Sequence, residues 1–283
     1  MPEPTEDPPQ SFFGEMSRFF VVPAAIVVLC VAVFLLFGLV ASEGRTAADY
    51  LKEIRQGSAN QRWQAAYELS RVLSTDAEKH RREGVGREIA ALLQDPKTTD
   101  PVVRRYLVLA LEAVADPETA PAIEGSLGDA DAEVRLYAAR ALGRIASPGS
   151  TAALLPLLAN EDPGLRKIAL YSLGKIGDRS AAGAIRPRLE DPVEDVRWNA
   201  ALTLALLGDP SGAPVLRKML DATYLDTIDG ITEEQKLEAR VNALQAVYKL
   251  RDPALRELVE KISRNDPSLH VRDIALKVLK AWT

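Results

Sequence analysis

Arg104, Arg135, Arg166 and Arg197 follow one another at intervals of 31 residues, each directly after a valine or leucine. Guanidinium groups held in such a register could form an anion-binding row. An arginine at the same helical position in nearly every copy is better explained by a contact made in every copy. Other chemistry is sparse. His80 and His270 are the only histidines and Cys30 is the only cysteine. An intramolecular disulfide framework and a cysteine-cluster metal site are therefore excluded. No HExxH, GxSxG, Walker A or GxGxxG pattern occurs. No catalytic, cofactor-binding or metal-ligating residue is expected, and the chain is read as a non-enzyme without cofactor or small-molecule substrate.

The acid-rich stretch DATYLDTIDGITEE, Asp221 to Glu234, invites a calcium reading. Placing Gly230 at the loop glycine puts Leu225 at the first ligand position and Lys236 at the twelfth, so the pattern fails. Its composition favours a solvated loop, with a docking element as the alternative. His80 sits in a basic connector, STDAEKHRREGVG (74–86), with no histidine or cysteine near it in sequence.

The residue types most suited to binding a protein are tyrosine beside arginine. If Val134, Ala138, Leu142 and Ile145 form the buried stripe of a helix, Tyr137, Arg140 and Arg144 share another stripe. Equivalent positions are Tyr106 before it, Ile168, Tyr171 and Lys175 after it, and Trp198 with Asn199 beyond. The expected protein-binding face is therefore Tyr106, Tyr137, Arg140, Arg144, Tyr171, Lys175, Trp198 and Asn199. The bland alternative is that the tyrosines only pack between neighbouring helices.

These side chains must be carried by repeated elements. Copies of one unit centre on Arg62, Arg104, Arg135, Arg166, Arg197, Arg240 and Arg272. A period in the 20–50 residue range signals a solenoid. Each unit reads as a short helix such as TAALLPLLAN (151–160), an acidic or Asp-Pro turn, and a longer amphipathic helix. Gly143, Gly174 and Gly208 fall near the ends of second helices, where close packing or chain reversal needs them. Steps of 42 residues before Arg104 and 43 after Arg197 mark insertions, the later one at about 221–234.

VRLYAARALGRIA (134–146) and LRKIALYSLGKIGD (165–178) resemble the short HEAT repeats called PBS-lyase-like HEAT repeats. The resemblance covers about residues 46–283. It implies an all-α, right-handed α-solenoid of about seven helical hairpins over 42–283. It also implies that Asp131, Asp162, Arg104, Arg135, Arg166 and Arg197 build a ladder between adjacent repeats. Some relatives attach bilin chromophores, so a bilin-lyase-like enzyme is one alternative function.

At the other end, residues 1–18 form an acidic, proline-rich tail expected to be disordered, with four acids and one base. Phe19 to Ala41 is a run of 23 residues without a charge. A helix of that length crosses a hydrocarbon core of ~30 Å, so a single transmembrane helix over 19–41 is expected. Arg18 alone precedes it, whereas Arg45, Lys52, Arg55 and Arg62 follow, which places the solenoid on the cytoplasmic side.

The reading that joins these parts is a membrane-anchored scaffold or adaptor. It would bind a membrane-associated protein partner and position it, as an accessory subunit of a membrane complex. Residues 43–283 hold 34 basic and 36 acidic residues, so a nucleic-acid-binding solenoid ranks last and no nucleic-acid partner is expected.

Overall fold

The computed structural model describes residues 22–41, 45–75 and 77–282, with side chains outside the description at 22 and 34–41. The chain divides into two units, Met1–Thr46 and Ala47–Thr283.

In the first unit a helix, α1, runs Val22–Ala41. The expected tail, 1–18, and residues 19–21 lie outside the described residues. Among the described residues no helix is long and apolar enough to cross a membrane. The reading of 19–41 as a transmembrane anchor is corrected accordingly. The single-pass membrane localisation, the cytoplasmic placement and the membrane attachment of a partner rested on that segment and are withdrawn with it.

The second unit is an all-α stack of seven helical hairpins among the described residues. The first pairs α2 (Ala47–Gln56) with α3 (Ala59–Leu73). After α4 (Ala77–Arg82), the second pairs α5 (Val85–Gln94) with α6 (Pro101–Val114). Next come α7 (Ala120–Gly125) with α8 (Ala132–Ile145), and α9 (Thr151–Leu154) with α10 (Pro163–Ile176). The fifth joins α11 (Ala182–Ile185) to α12 (Glu194–Leu206). The sixth contains α13 (Ala213–Leu220), the inserted α14 (Ala222–Leu225) and α15 (Glu233–Leu250). The last is α16 (Pro253–Asn265) with α17 (Leu269–Lys280).

Local chemistry explains these boundaries. Asp100, Asp131 and Asp162 cap α6, α8 and α10 by accepting from Val102, Val134 and Gly164 backbone N–H groups. Pro101 and Pro163 occupy the first helical position, where a missing N–H costs little. The first helices of the fourth and fifth hairpins are shorter than the periodicity suggests. Pro156 and Pro187 turn their second halves into 3-10 segments, Leu155–Ala159 and Arg186–Glu190.

The second helices pack in sequence: α3 on α6, α6 on α8, α8 on α10, α10 on α12, α12 on α15 and α15 on α17. An interior helix of such a row has two buried sides. Val134, Ala138, Leu142 and Ile145 are buried as expected, and so are Ala141 and, on the flank toward the next repeat, Ala139 and Gly143. Gly143 is packed so closely that a Cβ would stand 2.6–2.7 Å from Ser172. Ser172 uses that approach to donate to the Ala139 carbonyl at 2.7 Å, and Thr203 repeats the bond to Leu170 at 3.0 Å. Gly208, with φ +77°, serves chain reversal instead.

The basic connector is also packed. Arg81 of α4 donates to the Val114 carbonyl at 2.9 and 3.2 Å, which satisfies the C-terminal end of α6.

Candidate functional site

The recurring arginines are structural. Arg104 holds Asp129 at 2.7 and 3.0 Å, Arg166 holds Asp191 at 2.8 and 2.9 Å, and Arg240 pairs with Asp266. Each pair links one hairpin to the turn ahead of the next second helix. The same guanidinium in Arg166 also donates to the Asn160 and Glu161 carbonyls, at 2.9 and 3.0 Å. Such forked, charge-assisted bonding leaves little donor capacity for an exogenous anion.

The ladder departs from the sequence reading: of Arg104, Arg135, Arg166 and Arg197 only Arg104 and Arg166 reach an acid of the next hairpin, while Arg197 pairs with Glu194 of its own helix. Asp131 and Asp162 are helix caps, and the acids of the main ladder stand two residues ahead of the Asp131 register, at 129 and 191. Asp131 makes a second rung with Arg105 at 2.6 Å. Hydrogen bonding to Arg105 is the main cause that holds the Asp131 carboxyl down to about 2. Arg135 bonds the Asp129 and Ala130 carbonyls but no carboxylate, because the register places Asn160 where an acid stands elsewhere.

A groove of about 730 Å³ opens along the second helices from α8 to α15. Its apolar lining comes from Ile168, Trp198, Leu202, Met219, Ile228 and Ile231, and its polar lining includes Asn199, Gln235 and Asn242. Four carboxylates, Glu194, Asp195, Asp229 and Glu238, face two cations, Arg140 and Lys167. The cations are already engaged: Arg140 with Glu112 at 2.8 Å and Lys167 with Asp195 at 2.6 Å.

The inserted stretch forms one wall of this groove through Ile228, Asp229 and Ile231. Most of it is exposed, as expected of a solvated loop, but it is anchored at several points. Leu225 is fully buried, Tyr224 Oη donates to Glu194 at 2.7 Å, and Lys236 ties Asp226 to Glu233 at 2.8 and 2.7 Å. Its apolar residues fold inward, while its acids supply the polarity seen in the sequence.

Of the eight residues expected on a binding face, the structure brings Arg140, Tyr171, Trp198 and Asn199 together around the groove. Tyr171 is exposed, with Lys175 Nζ 5.3 Å from its ring centroid. Trp198 is only 8% exposed, and its indole Nε1 is buried without a hydrogen-bond partner among the described residues. Tyr106 packs edge-on to Tyr67 with centroids 5.3 Å apart, and Tyr137 lies against the core under Arg140, 5.1 Å from its ring. Arg144 is exposed and, like Lys175, stands outside the groove lining.

Leu202, Met219, Glu238 and Asn242 escaped the sequence reading. A signal for three of them was present. The 31-residue step takes Tyr171 to Leu202, and the 43-residue step takes Asp195 to Glu238 and Asn199 to Asn242.

The model of HEAT repeats matches residues 87–170 and again 151–234, together more than half of the chain. The chain belongs to the HEAT-repeat family. No curated protein matches it. Among solved structures, this HEAT-repeat protein is similar to the complex of CpcE and CpcF of phycocyanin lyase from Nostoc sp. PCC7120. The identity is 22%, over 84% of this chain and 89% of that one, with a TM-score of 0.53. It is also similar to an engineered protein at 21% identity, over 83% of this chain and 68% of that one, with a TM-score of 0.54.

Identities this low speak for the fold alone. The expectation of a non-enzyme, which rested on missing catalytic motifs, is withdrawn, because a solved structure of like fold is that of a phycocyanin lyase complex. The solenoid of helical hairpins stands; its membrane anchoring does not.

Proposed function

We propose that this HEAT-repeat solenoid is a protein-interaction scaffold that docks a segment of a partner protein in the groove between α8 and α15. The groove carries the proposal. Its volume and mixed lining suit a few large side chains of an incoming chain, with the Asn199 Oδ1 and the Asn242 amide to meet a peptide backbone. Repeats that expose a continuous row of second helices provide the extended surface such docking uses. Tyr171, Trp198 and Asn199 are the anchors of this reading, with Arg140 at the edge.

The test is site-specific photocrosslinking of the full-length chain in its native cells. A photoreactive residue at Leu202 captures a defined partner, and one at the exposed Ser180, outside the groove, does not. Equal capture from both positions, or none at Leu202, rejects the groove as the docking site.

A second reading follows from the likeness to phycocyanin lyase: the same groove would hold a bilin. A cavity of this volume falls in the range of small-molecule sites, roughly 300–1,000 Å³. Absorbance of the purified protein incubated with a bilin separates the two, because protein docking shifts no chromophore spectrum.

A further inference from the structure

The carboxylates of the groove are not equivalent. Glu194 is occupied by Arg197 and by the Tyr224 hydroxyl, and Asp195 by Lys167. Asp229, on the inserted wall, and Glu238, on α15, make no hydrogen bond or ion pair among the described residues. Both line the same cavity as Trp198, whose buried Nε1–H also lacks an acceptor. A buried indole N–H without a partner forfeits a hydrogen bond, which an incoming carbonyl would restore. Two uncompensated negative charges beside an apolar lining attract a cation and repel phosphate or an acidic chain.

We infer that the occupant of the groove is a basic peptide segment that carries a large apolar residue. The apolar side chain packs on Trp198, Leu202, Met219 and Ile231, a lysine or arginine reaches Asp229 and Glu238, and a peptide carbonyl accepts from Trp198 Nε1. This rests on the groove being the docking site and adds the chemistry of what docks.

Fluorescence polarisation of two fluorescein-labelled hexapeptides against the full-length protein tests the inference. One is Arg-Lys-Leu-Phe-Lys-Arg and the other its charge-reversed partner, Glu-Asp-Leu-Phe-Asp-Glu. The basic peptide binds and the acidic one does not. Asp229→Asn with Glu238→Gln weakens the basic peptide by about tenfold or more and flattens its salt dependence. Both residues are exposed, so the double variant keeps its helical circular dichroism. Trp198→Phe weakens binding without altering salt dependence.

Equal affinity for the two peptides, no effect of the double variant, or no binding of the basic peptide up to about 1 mM overturns the inference. If the inference falls while crosslinking at Leu202 still captures a partner, docking survives and only its charge preference is lost. If both fail, the docking reading goes too.

Discussion

Arg166 and Asp191 form a two-pronged pair at 2.8 and 2.9 Å across the junction of the fourth and fifth hairpins. Their side chains are 8% and 0% exposed. Partners at that depth are stable together and costly apart, because the charge left behind cannot recover its hydration.

Asp191→Ala strands the Arg166 guanidinium and is expected to lower stability by about 3–5 kcal/mol in urea unfolding. The matched control is Glu118→Ala, which breaks the exposed pair with Arg87. It should cost under about 0.5 kcal/mol. Equal losses in the two variants would show that burial does not set the strength of the ladder.

Acid should weaken the solenoid through the same rungs. Burial pushes the Asp191 carboxyl up, but bonding to Arg166 and to the Val193 N–H, with the charges of Arg166 and Arg188, outweighs it and leaves it below its ordinary 3.8. Asp129 is lowered in the same way by Arg104, and Asp131 lies at about 2. A depressed carboxylate stabilises the fold above its unfolded value and loses that contribution as pH falls through the folded value. Urea midpoints should therefore hold at about pH 5 and fall from about pH 4 toward pH 2. A midpoint unchanged over that window would contradict the assignment.

Asn160 stands 31 residues after Asp129 and 31 before Asp191. Its Oδ1 accepts the Asp162 N–H at 3.0 Å, as the acids at 129 and 191 accept theirs. Asn160→Asp should give Arg135 the missing carboxylate and raise stability by about 0.5–1 kcal/mol at neutral pH. The gain should fade as pH falls from about 4 toward 2, through the lowered value of the paired acid. A gain that persists at low pH would have another origin.

Ala115, Ala146, Gly177 and Gly208 end four successive second helices with φ of 51°, 55°, 76° and 77°. The left-handed conformation penalises a Cβ, so two of the four caps carry avoidable strain. Ala146→Gly should raise stability by up to about 1 kcal/mol, and Gly177→Ala should lower it by a similar amount. Thermal unfolding of both variants checks the opposite signs.

Most of the repeat architecture is legible in the residues. The arginine spacing marks the hairpins, the Asp-Pro turns mark where second helices start, and the buried stripe from Val134 to Ile145 follows helical periodicity. The binding face is less legible. Tyr106 and Tyr137 look like anchors by type, yet Tyr106 packs on Tyr67 of the preceding second helix and Tyr137 lies against the core under Arg140, and helical periodicity within one repeat says nothing about the next.

By itself, then, the sequence determined the period, the caps and the core of each hairpin, since these depend on contacts within a few residues along the chain. Tertiary structure decided the rest. Asp129 and Asp191, rather than Asp131 and Asp162, meet the arginines of the main ladder, because pairing 25 residues apart depends on how neighbouring hairpins seat. The insertion became a wall because Leu225 and Ile228 found apolar partners only once α12, α13 and α15 had assembled. Residues from Arg140 to Asn242 share one groove for the same reason: each hairpin displaces its successor, and only the stack aligns their side chains.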